Sequence, residues 1–167
     1  MNKIVVIGVG LIGGSLAKDI KKLYPKASII GIDNNDNHIQ QALDLGIIDE
    51  KGIYSSLNTA DLVILSIPVD NSVEELPKVL DSISEETLVM DMGSTKQSIC
   101  DVVKGHKNRR NFLAVHPIAG TEFSGPKAAS PPKNTRSRVD WKVVRSTTGR
   151  SHLPNLISRS LSIQGKA

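Results

Sequence analysis

Three glycines near the start of the chain stand at the spacing that brings a polypeptide backbone against a phosphate. Gly8, Gly10 and Gly13 follow a short β-branched run and open a segment with helical periodicity. The first glycine of such a pattern allows a tight turn, the second lets the backbone approach a pyrophosphate, and the third lets the helix pack on its strand. Leu11 and Ile12 begin that helix, whose N-terminal N–H groups stabilise anionic charge. The pattern predicts a dinucleotide site; the alternative is a bare strand-to-helix turn.

An acidic residue closes the second apolar run of the chain. This residue, Asp33, comes 20 positions after Gly13. A carboxylate here accepts hydrogen bonds from the ribose hydroxyls of the adenosine half and repels a 2′-phosphate. Because Asn34 and Asn35 bring no positive charge, we predict NAD as the cofactor rather than NADP. Taken by itself, Asp33 would be interpreted as a turn or cap residue.

Two later loops follow apolar runs and offer further contacts. Ligands of doubly wound sheets lie at the carboxyl ends of the strands, so residues at these points are candidates. Ser66, Ile67 and Pro68 are expected to line the adenosine and ribose side of a cofactor. In the next loop Gly93 leaves room for a cofactor and Ser94 offers a hydroxyl.

The second of these loops also permits purely structural interpretations. Ser94 and Thr95 are residue types that commonly cap the N-terminus of a helix, a role compatible with ligand binding. For Lys96 we favour a solvated helix position over a ligand contact.

A histidine follows the last apolar run of this series. At the end of a strand His116 can accept a proton near neutral pH, which suits a general base. A buried histidine hydrogen-bonded to the backbone is the alternative, but its position beside the expected nicotinamide site favours the base. We assign no role to the other three histidines, and no His, Cys or Asp spacing suggests a metal site.

Alternating strands and helices are expected to bring these residues together. Strand-like runs occupy residues 3–9, 27–33, 60–68, 87–93 and 111–116, the last ending at His116. Helices are predicted between them, at residues 11–24, 37–45, 70–80 and 95–103, with Gly46 as a C-cap and with Pro77 shortening or kinking the third. The alternation predicts an α/β fold with a doubly wound, parallel Rossmann-type sheet.

Composition limits the class of protein. A chain of 167 residues with 39% hydrophobic and 23% charged residues suits one soluble domain with a tail. The single cysteine, Cys100, cannot form an internal disulfide, which favours a reducing compartment and a cytoplasmic location. No apolar run is long enough to predict a membrane span.

Positive charge is concentrated in the last part of the chain. Residues 1–129 hold 13 Lys plus Arg against 16 Asp plus Glu, net −3, and residues 130–167 hold 8 against 1, net +7. This second segment, rich in Ser, Arg and Pro, is expected to be largely irregular and disordered, with at most a short strand near Trp141 and a short helix near Leu156. Nucleic-acid binding through this basic tail is a weaker hypothesis.

Four segments give the chain a specific resemblance. VVIGVGLIGGSLAKDI, ADLVILSIPVD, VMDMGSTK and above all HPIAGTEFSGP resemble the nucleotide-binding domain of the prephenate/arogenate dehydrogenase family. The resemblance covers residues 1 to about 129 and implies NAD-dependent oxidative decarboxylation of prephenate or arogenate in tyrosine biosynthesis. It also implies that His116 acts as the base on the ring hydroxyl, that Ser94 orients this contact, and that Glu122 lies near the substrate entrance.

The resemblance stops at Ser130. Members of the family continue into a helical domain that binds substrate and forms a dimer, and the 38 residues from 130 to 167 cannot supply it. We therefore expect a truncated dinucleotide-binding domain with an incomplete sheet, followed by a tail that is disordered or translated out of frame. The activity of such a chain is in question, and an NAD-binding remnant without catalysis is the alternative.

Overall fold

The computed structural model describes residues 1–118 and 140–145. Seven strands of this part of the chain form one sheet in the order β3-β2-β1-β4-β5-β6-β7. The first six are parallel and β7 is antiparallel to β6. The strands are β1 Lys3–Ile7, β2 Ser28–Ile32, β3 Glu50–Lys51, β4 Leu62–Leu65, β5 Leu88–Asp91, β6 Phe112–Ile118 and β7 Asp140–Arg145.

Helices cover both faces of the sheet, which confirms the predicted doubly wound α/β fold. The α-helices of the described residues are α1 Leu11–Leu23, α2 Asp36–Asp44, α3 Val69–Ser82 and α4 Gln97–Val102. Side chains alternate along β1, so Ile4 and Val6 pack with α1 and α2 while Val5 and Ile7 pack with α3 and α4. Burial on both faces explains why the strands are continuous apolar runs.

The order of the strands creates a switch point between β1 and β4. From β1 the chain adds strands outward through β2 to β3, and it then returns to place β4 on the other side of β1. The loops that leave β1 and β4 therefore diverge to opposite faces of the sheet. The crevice between them is where doubly wound proteins bind ligands.

Helix α3 is longer than its predicted range of residues 70–80. Pro77 lies inside α3, which continues to Ser82, so the expected shortening is wrong. The buried side chains of Leu76, Val79 and Leu80 hold the helix against the sheet on both sides of the proline. α2 is close to its prediction, and Gly46 after it has a φ of +61°, as expected of a C-cap glycine.

Two short elements and the end of one strand differ from the sequence expectations. The two-residue strand β3 and a 3₁₀ helix at Tyr54–Thr59 were not predicted, because both are too short to carry a periodic pattern. β6 does not end at His116 but continues to Ile118, where pairing with β7 extends it. The strand expected near Trp141 is β7.

Other expectations lie outside the described residues. These are the position of Glu122, the disorder of most of the tail and the short helix near Leu156. Within the described part, no helix has the length and apolar character needed to cross a membrane.

Candidate functional site

The predicted site residues lie along the carboxyl edge of the sheet. Three backbone hydrogen bonds continue the parallel pairing just past the strand ends and bring the loops into line: Gly8 N–H to Ile32 O at 2.8 Å, Ser66 N–H to Ile7 O at 2.7 Å and Met92 N–H to Leu65 O at 2.9 Å. The loops after β2, β1, β4 and β5 are therefore neighbours in that order. A ligand that spans this edge would meet all four of them.

The turn after β1 requires glycine at its first position. Gly8 has a φ of +88°, a region that side chains rarely adopt. A Cβ atom at Gly8 would lie 2.2 Å from the carbonyl oxygen of Ser66 and 2.8 Å from Cγ2 of Ile67. The glycine thus lets the first turn of the site pack directly against the loop after β4.

The other two glycines have contrasting surroundings. Among the described residues, no atom would lie within 4 Å of a Cβ at Gly10, so this part of the chain leaves the space above Gly10 open. A Cβ at Gly13 would lie 2.1 Å from the carbonyl oxygen of Gly8 and 3.1 Å from Cγ1 of Val6. The packing between helix and strand thus excludes a side chain at Gly13. At Gly10 a side chain would instead take up space that a ligand could occupy.

The N-terminus of α1 has the features of an anion site. Gly10 is its N-cap and provides no side-chain hydrogen bond to the helix, and the first turn holds no acidic residue. The first N–H groups of any α-helix lack acceptors within the helix, and the helix dipole places positive charge there. Together with the open space at Gly10, this geometry fits a pyrophosphate group.

Asp33 supports the glycine turn directly. Its Oδ2 accepts the N–H of Val9 at 3.0 Å, and its Oδ1 accepts the N–H of Asn35 at 2.9 Å. His38, to which the sequence assigned no role, places its Nδ1 3.5 Å from Oδ1 of Asp33. The carboxylate is thus held in place from two sides, with further acceptor capacity for a ribose hydroxyl.

The loop after β4 is fixed by a residue that the sequence analysis did not select. Ser72, in the first turn of α3, is fully buried, and its hydroxyl donates to the carbonyl oxygen of Pro68 at 3.1 Å, with that of Ile67 at 3.3 Å. Pro68 itself is exposed, and Ser66 and Ile67 are partly buried. This contact holds the wall that faces Gly8.

The loop after β5 is closed by an ion pair that was not predicted. Oδ2 of Asp91 accepts the ammonium group of Lys96 at 2.5 Å and the N–H of Gly93 at 3.0 Å. The side chains of Asp91 and Lys96 are 0% and 12% exposed. The interpretation of Lys96 as a solvated helix residue is therefore wrong: it lies before α4 and turns inward because a buried carboxylate needs a partner.

Burial dominates the electrostatics of this pair. It raises the pKa of Asp91, although the Lys96 ammonium and the N–H groups of Gly93 and Val115 act in the opposite direction. Oδ1 of Asp91 has no hydrogen-bond partner of normal geometry among the described residues. The one sequence signal for this pair was that Asp91, a carboxylate, ends an apolar strand that is buried on both faces of the sheet.

Ser94 and Thr95 do not cap the following helix. Both are exposed, and α4 begins later, at Gln97, with Lys96 at the N-cap and no side-chain capping bond. The capping interpretation is wrong, because the N-cap position is occupied by Lys96, whose side chain binds Asp91. Both hydroxyls stay at the surface of the edge.

His116 is placed by the backbone of β6. Asp91 pairs in register with Ala114, so His116 comes two residues beyond the last paired position of β5. Its main chain therefore borders the loop that holds Ser94. Among the described residues, no group of three His, Cys, Asp or Glu could hold a metal ion.

Comparison with known sequences identifies a family. A family profile described as prephenate dehydrogenase, nucleotide-binding domain, matches residues 16–137. The prephenate dehydrogenase of Bacillus subtilis is 41% identical over 130 residues, which make up 75% of this chain and 35% of that protein. The profile match extends past residue 129, where the resemblance was expected to stop.

Solved structures agree with this assignment. A crystal structure of prephenate dehydrogenase from Aquifex aeolicus has a TM-score of 0.79 and 31% identity, covering 96% of this chain and 58% of that one. A structure of the A. aeolicus enzyme in complex with hydroxyphenyl propionate and NAD⁺ has a TM-score of 0.75 and 30% identity, with coverages of 96% and 56%. The chain thus spans about a third of the curated relative and somewhat over half of the solved chains. It belongs to the prephenate dehydrogenase family and carries that family's nucleotide-binding domain.

Proposed function

We propose that the carboxyl edge of this sheet binds NAD. The observation that carries the proposal is the combination of the open space at Gly10, the uncapped N-terminus of α1 and the fixed carboxylate of Asp33. The helix N-terminus would hold the pyrophosphate, and Asp33 would accept the ribose hydroxyls of the adenosine half. The A. aeolicus relative in complex with NAD⁺ supports the choice of cofactor.

We further propose that the reaction is the oxidative decarboxylation of prephenate to 4-hydroxyphenylpyruvate, as a step of tyrosine biosynthesis. Bound NAD would supply the hydride acceptor. His116 would take the proton of the C4 hydroxyl as hydride leaves C4, and loss of the ring carboxylate as CO₂ would then make the ring aromatic. Ser94 would orient the hydroxyl, and we propose Glu122 as a residue near the substrate entrance.

Most of the driving force comes from aromatisation of the substrate. The protein therefore has to hold the ring, the base and the cofactor within reach of one another. The position of Ser94 on the loop after β5, and of His116 on the neighbouring strand, supports their assignment to one site. Arogenate is the alternative substrate.

A turnover assay with a base variant tests the reaction. The full chain is incubated with NAD⁺ and prephenate, and the formation of NADH is followed beside NAD⁺ binding. We expect the His116→Asn variant to bind NAD⁺ as the wild type does and to form NADH more slowly by about 100-fold or more. NAD⁺ binding by the wild type without any NADH would instead favour a binding module without catalysis.

A further inference from the structure

The pair formed by Asp91 and Lys96 closes a short loop at the carboxyl edge. The two residues are five positions apart, and their side chains meet beneath the backbone that connects them. Gly93, inside this loop, is buried, and a Cβ there would lie 2.8 Å from Cδ1 of Ile99 and 3.1 Å from Oδ2 of Asp91. The loop is therefore packed down on the ion pair and on α4.

Only two side chains of this loop point away from the protein interior. Ser94 and Thr95 are exposed, whereas Met92 and Gly93 are buried. Fixing the backbone from below thus presents two hydroxyl groups at a defined height above the sheet. A solvated loop would present the same groups without a fixed position.

Stability alone does not account for a buried ion pair here. Removing two charges from water is costly for each ion, and apolar side chains of similar size often stabilise a fold equally well. Oδ1 of Asp91 adds to this cost because it lacks a partner of normal geometry among the described residues. Costly polar groups at the edge of a ligand crevice are commonly functional.

The pair also connects the two parts of the site. Met92 donates its N–H to Leu65 O at 2.9 Å, at the base of the loop that walls Gly8. On the other side, Asp91 is in register with Ala114, and the N–H of Val115 interacts with the Asp91 carboxylate. The pair therefore lies between the half of the edge that carries Gly8 and Asp33 and the half that carries His116.

We propose that Asp91 and Lys96 are positioning residues for the nicotinamide ring of the cofactor. The inference rests on the proposed NAD site. A dinucleotide anchored over β2 and β1 by its adenosine half extends its other half toward β4, β5 and β6. There the ion pair fixes the height of the loop at residues 92–95, against which the nicotinamide ring would rest.

A comparison of two ligands separates positioning from general stability. NAD⁺ contains the nicotinamide, and ADP-ribose has the same adenosine and pyrophosphate groups without it. Both are titrated calorimetrically into the full chain as wild type, Asp91→Asn, Lys96→Met and Lys96→Arg. Lys78→Met is the matched control, because Lys78 forms an ion pair with Glu75 on the exposed surface of α3.

We expect the Asp91→Asn and Lys96→Met variants to lose about tenfold or more in NAD⁺ affinity while ADP-ribose affinity changes by less than about twofold. Lys96→Arg should restore most of the NAD⁺ affinity, and Lys78→Met should change neither ligand. If Asp91→Asn or Lys96→Met fails to fold, the double variant Asp91→Asn/Lys96→Met is titrated with the same two ligands instead. This variant leaves no unpaired charge.

Two results would overturn the inference while leaving the proposed function intact. One is an unchanged affinity of the variants for both ligands, and the other is an equal loss of affinity for both ligands, which would show a purely structural role. Failure of the wild type to bind either ligand would refute the NAD site itself, and the positioning role with it.

Discussion

The carboxylate of Asp33 accepts the backbone N–H of Val9 at 3.0 Å, joining the end of β2 to the middle of the glycine turn. The residue expected to bind ribose is thus also a support of the turn expected to bind pyrophosphate. Because both oxygens of Asp33 already accept a backbone N–H, the side chain cannot turn away without leaving a donor unpaired. The cofactor selection proposed for Asp33 and the geometry of the loop would therefore depend on the same group.

Two substitutions separate these roles of Asp33. Asp33→Asn keeps an oxygen that accepts the Val9 N–H but loses the charge that repels a 2′-phosphate. We expect it to narrow the preference for NAD⁺ over NADP⁺ by about tenfold. Asp33→Ala should in addition destabilise the fold by roughly 1–3 kcal/mol because two N–H groups lose their acceptor. Titration with both nucleotides and thermal unfolding measure the two effects; an unchanged nucleotide preference in Asp33→Asn would contradict the role of its charge.

Gly8→Ala should destabilise the fold more than substitution of another glycine with positive φ. The new Cβ would lie 2.2 Å from the Ser66 carbonyl oxygen, whereas a Cβ at Gly46, with a φ of +61°, would have no atom of a described residue within 4 Å. We expect a loss of roughly 2–4 kcal/mol for Gly8→Ala, from strain and overpacking together, and about 1–2 kcal/mol for Gly46→Ala. Urea denaturation measures both losses, and equal values would contradict the close packing of the two loops.

Gly10→Ala should affect ligand binding without much change in stability. Gly10 has a φ of −69°, which alanine adopts readily, and a Cβ there enters open space. We expect the free energy of unfolding to fall by less than about 1 kcal/mol and NAD⁺ affinity to fall about tenfold or more. Gly105→Ala, also in open space but far from the carboxyl edge, is the control. NAD⁺ affinity that survives in Gly10→Ala would place the phosphates elsewhere.

Breaking the buried ion pair should cost far more than removing it. Lys96→Met leaves the carboxylate of Asp91, which is 0% exposed, without its cation. We expect a loss of roughly 3–5 kcal/mol in the free energy of unfolding, and a much smaller loss in the double variant Asp91→Asn/Lys96→Met. Lys78→Met on the surface should be nearly neutral. Additive losses in the double variant, measured by denaturant unfolding, would show that the two side chains act independently.

Acid should remove the stabilising contribution that Asp61, a carboxylate at the amino edge of the sheet, makes to the free energy of unfolding. The backbone N–H groups of Asn2 and Lys3 hold the pKa of Asp61 below its ordinary value of 3.8. A lowered pKa in the folded state stabilises the fold above pH 3.8, and this stabilisation is lost as the pH falls through the lower folded value. Asp61→Asn should therefore be less stable than the wild type near neutral pH, with the difference shrinking in acid. A difference that is independent of pH would contradict this.

The strands could be predicted because their burial is uniform. Residues 62–65, for example, are all buried, because both faces of their strand are covered. A continuous apolar run this short indicates a buried strand. The glycine turn could be predicted as well, since Gly8 and Gly13 occupy places where a Cβ has no room. In these segments local sequence and tertiary packing favour the same conformation.

Tertiary contacts decided the features that the sequence did not predict. Pro77 weakens a helix locally, yet Leu76, Val79 and Leu80 hold α3 together through their burial. Lysine is a residue type that is usually solvated, and Lys96 turns inward because Asp91 is buried beneath it. A pairing between two side chains across a loop has no periodic signature, so neither residue could be selected from its own sequence context.

The most direct test of the account is a calorimetric titration of the full chain with NAD⁺ and with NADP⁺ at the same ionic strength. The geometry of Gly8, Gly10 and Asp33 predicts saturable binding of one NAD⁺ per chain, about tenfold or more tighter than NADP⁺. The absence of saturable NAD⁺ binding, or an equal affinity for the two nucleotides, would contradict it.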